Sequence, residues 1–395
     1  MRKILIVGGQ MENKGAQAMT FTVVNEIKER YPDKELVLVC PDEDRNYAFQ
    51  LVKMGKKMKL ELLGGVYTLI GKIIPNNERV SVTKAQMKEI LQDTDLIVDI
   101  SGFALSSQFS IRHTINYLAN IRLARQNKIP MVLLSQSFGP FEYSGVYKYI
   151  IPPMIKKYIR YPRYIYAREQ EGADYLGKYT SGNVRRSVDI VLQGFNPYNL
   201  SHLFRDGEYM KDEPLDIKPN AVGIVPNVKT MKYGTRQAML AMYEHMVRHL
   251  LKRGKSVYLF RHSTEDLIIC QEIKRRFPHD ERVVLLEDEY DCIAIHDVLA
   301  QFDFLVASRY HSIVHAYKNG IPVVALGWAT KYRELLGRFG QGEYVFDVRD
   351  SAHIEANLIA RLDAMMEKRD AEAAKISSTL GEIHRENIFA EAFAL

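Results

Sequence analysis

Short apolar runs alternate along this chain with longer amphipathic segments, and that rhythm constrains the fold more than any other feature. A strand that reads as a continuous apolar run is buried on both faces, which fits a parallel sheet covered by crossover helices. In the first half the spacing predicts strands at 3–7, 35–40, 95–100, 130–135, 163–167 and 184–190. In the second half it predicts them at 221–226, 256–260, 282–286, 302–307, 322–326 and 344–346. Between the halves, 194–220 opens on Gly, Asn and Pro, continues with mixed charges and closes on Lys218-Pro219-Asn220, a linker composition. The expected division is therefore a domain at 1–194, a linker at 195–220 and a second domain at 221–395. The polar-apolar helical stretch from about residue 352 is a candidate to complete the first domain. A length of 395 residues suits two domains of ordinary size. Neither a repeat of fixed period nor a low-complexity tract interrupts the pattern.

Composition narrows the partners. Lys and Arg number 54 against 48 Asp and Glu, a net charge of +6, and are interleaved with them almost everywhere, with no basic run of the kind that forms a nucleic-acid arm. The balance suits an anionic small molecule or an anionic membrane surface. Cys40, Cys270 and Cys292 form no CxxC and no metal-type spacing, so a reducing, cytoplasmic compartment is expected. The apolar run after Met1-Arg2-Lys3 is too short for a signal peptide, and no stretch approaches the roughly 20 apolar residues of a membrane span.

Ligands of open α/β sheets sit beyond the carboxyl ends of strands, so the strand-to-helix junctions are the places for chemistry. The first runs Gly8-Gly9-Gln10-Met11-Glu12-Asn13-Lys14-Gly15-Ala16, where glycines permit a tight turn and a helix start offers N–H groups to an anion. It is neither GxGxxG nor a Walker loop, and an ordinary βα turn explains it equally well. Ser101-Gly102-Phe103 and Ser135-Gln136-Ser137-Phe138-Gly139-Pro140 each offer hydroxyls and N–H groups to a sugar or carboxylate. Arg168 stands at the end of Tyr164-Ile165-Tyr166-Ala167, where a guanidinium can clamp a carboxylate or phosphate. A structural ion pair with Glu169 or Glu171 is the other reading. The most informative junction is Ser308-Arg309-Tyr310-His311-Ser312, between an apolar strand and a helix that Asn319-Gly320 closes. It puts a cation and an imidazole into one helical turn at the sheet edge. His311 and His315 have the i, i+4 spacing of zinc ligands but lack the HExxH glutamate, and no metal is expected. Lys331, after the next strand, faces the same edge or solvent, and His262 faces the cleft or the surface. Tyr143, Tyr147 and Tyr149 read either as a carbohydrate platform or as core and helix surface.

Together these segments resemble the polysaccharide pyruvyltransferase family. The resemblance rests on Asn13-Lys14-Gly15-Ala16, Gln136-Ser137-x-Gly139-Pro140, Arg168-Glu169, Asp189, His262 with Asp266, Arg309-x-His311, Gly320-x-Pro322 and Lys331, in the family's order over nearly the whole chain. The family's often glycine-rich segment at the second junction reads Ser101-Gly102-Phe103 here. The resemblance implies a GT-B-like fold, two Rossmann-like domains facing a central cleft. It implies transfer of pyruvate from phosphoenolpyruvate to a saccharide as a cyclic ketal, in bacterial cell-surface or exopolysaccharide biosynthesis. Arg309 and His311 match the family's RxH motif and are the expected catalytic pair. Arg168, Arg309, Lys331, Asn13 and Gly15 are expected on the donor, and Ser101, Gly102, Gln136, Ser137 and His262 on the acceptor. Phosphoenolpyruvate is a co-substrate, and no cofactor is implied. The acceptor is a free, nucleotide-linked or lipid-linked saccharide; a lipid-linked one would bring loose association with the inner membrane. Two other functions fit the same architecture: a nucleotide-sugar glycosyltransferase and a noncatalytic protein that binds a glycan or nucleotide.

Overall fold

The structure of the chain is a computed structural model. It describes residues 2–41, 46–65, 68, 72, 80–207, 209, 215–233, 235–349 and 351–395, and side chains throughout these except at 206 and 351–353. Two compact units emerge: Met1–Tyr209 with Asn387–Leu395, and Met210–Glu386.

The first unit is built on seven parallel strands. They are β1 (Lys3–Val7), β2 (Glu35–Val39), β3 (Gln50–Val52), β4 (Thr94–Asp99), β5 (Met131–Gln136), β6 (Tyr164–Ala167) and β7 (Val184–Arg186). Their order is β3-β2-β1-β4-β5-β6-β7, with all neighbours parallel. The central strands bury nearly every residue, as helices on both faces require. The chain moves outward from β1 through β2 and β3, then returns to the other side of β1 as β4. The carboxyl ends of β1 and β4 therefore mark the switch point where such sheets bind ligands. Gly8 ends β1 at φ +82, and a Cβ there would stand 2.1 Å from Ser101 Oγ, so only glycine allows the two loops to meet.

The second unit repeats the plan with six strands: β8 (Ala221–Val225), β9 (Ser256–Phe260), β10 (Val283–Leu286), β11 (Phe304–Ala307), β12 (Val323–Gly327) and β13 (Val345–Asp347). The order is β10-β9-β8-β11-β12-β13, again all parallel. Its switch point lies between β8 and β11.

Two details depart from the sequence reading. Gln50–Val52 forms an edge strand that a three-residue run without a longer apolar pattern did not announce. The strand expected to reach residue 190 stops at Arg186, because Asp189 turns the chain and its side chain caps a short helix, Ile190–Gln193. Of the segment read as a linker, 195–207 and 209 lie within the first unit and 215–220 within the second, while 208 and 210–214 lie outside the described residues. A 36-residue helix, Ser351–Glu386, belongs to the second unit. Asn387 breaks it at φ 39, and the following helix Ile388–Ala392 belongs to the first unit. There Phe393 O accepts from Tyr31 Oη at 2.9 Å, and Glu391 accepts from Tyr166 Oη at 2.7 Å. Among the described residues no helix is long and apolar enough to cross a membrane.

Candidate active site

In the first unit the junction residues are tied to one another. Asn13 caps the helix Lys14–Arg30, its side-chain oxygen accepting from Ala16 N at 3.1 Å, and Gly15 is buried in the first turn. Asp99, at the end of β4, is fully buried, and its Oδ1 accepts from Ser101 N and from Gln136 Nε2, both at 2.9 Å. Gln136 Oε1 in turn accepts from Tyr117 Oη at 2.9 Å. Burial pushes the Asp99 carboxyl above the usual carboxylate range, against the hydrogen bonds from Ser101 and Gln136 and the charge of Lys59. Burial also pulls the Lys59 ammonium down to about 8, with Asp99 opposing. Gly102 O accepts from Ser137 N at 2.8 Å, which joins the loops after β4 and β5.

Arg168 is buried in an ionic knot. Its Nε donates to Glu169 Oε1 at 2.9 Å, Nη1 to Asp189 Oδ2 at 2.7 Å and Nη2 to Ser137 Oγ at 2.5 Å. Ser137 Oγ closes the loop on Glu169 Oε1 at 2.8 Å. The guanidinium side chain is 4% exposed, beside Glu169 at 7% and Asp189 at 0%. Glu169 is thus the ion-pair partner anticipated from sequence, joined by Asp189. Tyr143 is tied by its hydroxyl to Thr114 at 3.0 Å, whereas Tyr147 and Tyr149 are exposed.

In the second unit, Arg309 is the N-cap residue of helix Tyr310–Lys318, a helix whose N-terminus carries no side-chain cap. The loop after β9 fixes its side chain. Nε donates to Asp266 Oδ2 at 2.7 Å, and Nη2 to Asp266 Oδ1 and Glu265 Oε1, each at 2.6 Å. Asp266 is fully buried and also accepts from Val228 N at 3.0 Å. This fork leaves Arg309 Nη1 without a hydrogen-bond partner among the described residues. His311 follows in the same helical turn, half-buried, its ring edge-on to Tyr310 at 5.6 Å. Lys331 Nζ lies 4.9 Å from the Tyr310 ring centre and 5.8 Å from that of Tyr332. Tyr332 Oη donates to Ser308 O at 3.0 Å. Arg309, His311 and Lys331 are therefore gathered at the carboxyl ends of β11 and β12.

His262 is only 9% exposed and belongs to a buried imidazole group: its ring lies 6.2 Å from that of His315, which lies 6.2 Å from that of His296. Neither ring nitrogen of His315 has a hydrogen-bond partner among the described residues. Burial pulls His315 well below the usual histidine range, helped by the positive potential of His262, His296, His311 and Lys318. Burial likewise pulls His296 down to about 4. Among the described residues no group of three or more His, Cys, Asp or Glu is arranged to hold a metal ion.

Sequence reading alone left Asp99 and Tyr117 out. Asp99 carried one signal, a carboxylate at the last position of a strand, directly after the apolar run Leu96-Ile97-Val98. Tyr117 carried none, since its role depends on an amide supplied by another strand.

Two parallel-sheet α/β domains, each with ligand-type switch points, define a protein of the GT-B fold class. Solved structures of that class align over almost the whole chain. One is a Staphylococcus aureus MnaA–UDP co-structure, with 11% identity, a TM-score of 0.53, and coverage of 96% of this chain and 91% of the other. Another is a putative UDP-N-acetylglucosamine 2-epimerase from Listeria monocytogenes, with 11% identity, a TM-score of 0.56 and coverage of 95% and 90%. An α,α-trehalose-phosphate synthase (UDP-forming) from Burkholderia vietnamiensis has 12% identity, a TM-score of 0.54 and coverage of 100% and 97%. At such identities the likeness is one of fold. No curated protein sequence matches the chain. Residues 13–330 match the family model of polysaccharide pyruvyl transferases, and the chain belongs to that family.

Proposed function

We propose that this transferase moves the pyruvyl group of phosphoenolpyruvate onto a saccharide as a cyclic ketal. Family membership supports the reaction class. The observation that carries the reading is the fork of Asp266 and Glu265 on Arg309, which fixes the guanidinium of the N-cap residue two positions before His311, at a helix start without a side-chain cap. The donor carries a carboxylate and a phosphate and needs several fixed hydrogen-bond donors. Arg309 Nη1 and Lys331 supply them, beside the positive end of the helix Tyr310–Lys318. Because the two carboxylates offset its charge, Arg309 contributes direction more than net positive potential, and the helix start and Lys331 supply the latter.

His311 delivers a proton to the methylene carbon of the enol ester. The neighbouring carbon becomes electrophilic, and one sugar hydroxyl bonds to it and gives up its proton. The bond from that carbon to the phosphate oxygen then breaks, phosphate leaves, and a second hydroxyl closes the ketal. Two hydroxyl protons are released in total; one replaces the proton that His311 gave to the methyl group and the other leaves with phosphate. Arg168, Ser137, Gln136 and Ser101 are assigned to shaping the loops of the first unit that present the acceptor. Their own polar groups are largely engaged with one another. Phosphoenolpyruvate is the only co-substrate the reaction needs. Three buried cysteines, none of them in a disulfide, fit work in a reducing, cytoplasmic compartment.

The test is incubation of the purified chain with phosphoenolpyruvate and candidate saccharides, followed by phosphate assay and mass spectrometry. Stoichiometric phosphate release with a pyruvate-ketal mass gain is expected. Release of a nucleoside diphosphate from a nucleotide sugar, with no dependence on phosphoenolpyruvate, would replace this reading with glycosyl transfer.

A further inference from the structure

Residues 143–168 contain Lys148, Lys156, Lys157, Arg160, Arg163 and Arg168 and not one Asp or Glu. These six cations equal the entire net charge of +6, so the rest of the chain is electrically balanced. Arg168 is the knotted residue already described. The other five lie on or next to the helix Tyr147–Tyr158 and the turn that follows it.

The same segment breaks the usual rule for apolar side chains. All seven residues from Ser144 to Ile150 are exposed. Four of them are large and apolar, with exposures of 62% for Val146, 44% for Tyr147, 71% for Tyr149 and 46% for Ile150. The helix is anchored from its other face by Ile151, Ile155 and Tyr158, so the exposed side chains are not the product of a loose element. Lys148 lies over the Tyr149 ring at 4.9 Å, and Lys156 and Lys157 are exposed a turn and a half further along. Arg160 and Arg163 add charge at the helix end while donating to Tyr179 O and Ala394 O.

Isolated apolar side chains on a surface mean little, but a contiguous group with lysines along the same helix is the chemistry of a membrane interface. Tyrosines favour the headgroup layer, short aliphatic side chains enter the acyl boundary, and lysines reach anionic phosphates from long stems. We propose that this patch on the first unit docks the protein on an anionic bilayer surface. A protein partner would need complementary acidic groups, and a second copy of this chain would set the lysines of one patch against those of the other. The absence of acidic residues across the stretch disfavours the second copy. The docking is peripheral, since one helical shoulder and four side chains engage the interface. It stands apart from the transfer chemistry, which vesicle binding does not read.

The test is sedimentation of the full chain with phosphatidylcholine vesicles, with and without phosphatidylglycerol, alongside light scattering of the protein alone. Binding to anionic vesicles that weakens with salt is expected. Each cation near a charged surface contributes about fivefold in partitioning, so K148Q/K156Q/K157Q should bind on the order of a hundredfold more weakly. V146S/Y149S/I150S should also lose binding while melting as the parent does, because these side chains are exposed. Failure to bind anionic vesicles, or equal binding of parent and lysine variant, overturns the proposal. Self-association that V146S/Y149S/I150S abolishes, without vesicle binding, overturns it in favour of a contact between copies.

Discussion

Replacing Arg168 by methionine separates a structural tie from a substrate ligand. The guanidinium side chain is 4% exposed and satisfies Asp189, Glu169 and Ser137. Methionine fills similar volume but strands two buried carboxylates without their cation. Breaking a buried ion pair by removing one partner costs about 3–5 kcal/mol. For a unit of this size each kcal/mol moves the melting temperature by about 2–4 °C, so a fall on the order of 6–20 °C is expected. The triple variant R168M/E169Q/D189N removes the stranded charges with little change in shape and should recover at least half of that loss. R168K should fall between, since a single ammonium cannot serve three partners in the geometry of the planar fork. Differential scanning calorimetry on all four proteins, paired with phosphate release, is the assay. If R168M melts within about 2 °C of the parent while losing turnover, the knot is not what holds Arg168. The residue would then act on the donor directly.

Other expectations follow from the same geometry. His311→Ala should cut phosphate release by about 10²–10⁴-fold with little change in melting, and full turnover would remove the residue from proton transfer. Asp266→Asn keeps the shape but loses the charge that fixes Arg309, so the KM for phosphoenolpyruvate should rise more than kcat falls; unchanged steady-state kinetics would dissociate the fork from donor binding. His296 and His315 are held below the histidine range by burial, so the unfolded chain takes up protons first as pH falls. Their contribution to stability is therefore full above about pH 6.5 and is lost as pH falls, with His296 alone accounting for about 3 kcal/mol by pH 4. His315→Leu should flatten the acid limb of a melting-versus-pH curve, and an unchanged limb would place the sensitivity elsewhere. Gly8→Ala should fold poorly or melt well below the parent, because its Cβ would collide with Ser101.

The layout of the fold was legible because parallel strands announce themselves locally. Val98 and Val306, for example, sit in runs whose burial needs no distant information. The edge strand Gln50–Val52 was not legible, because its identity comes from pairing with β2 rather than from its own composition. The site behaved in the same way. Arg309 and His311 were readable because a strand, a helix start and the two side chains occupy ten consecutive residues. What holds Arg309 was not, since Asp266 lies 43 positions away and reaches it only once β9 and β11 flank β8. Arg168 posed the converse problem. Its neighbour Glu169 was visible as a partner, but Asp189 and Ser137 arrive from the ends of other strands and convert an apparent anion clamp into a filled socket.

The helix Ile388–Ala392, docked within the first unit, sets an order of events during synthesis. The whole of the second unit, Met210–Glu386, must be translated before the piece that receives the Tyr31 and Tyr166 hydroxyls exists. The half of the protein that is made first is therefore finished last. A nascent chain paused after the second unit would expose the unfilled seat of Phe389 and Phe393, two rings that are wholly buried once the closing helix is in place. Chaperone contacts on a stalled chain should concentrate at that seat.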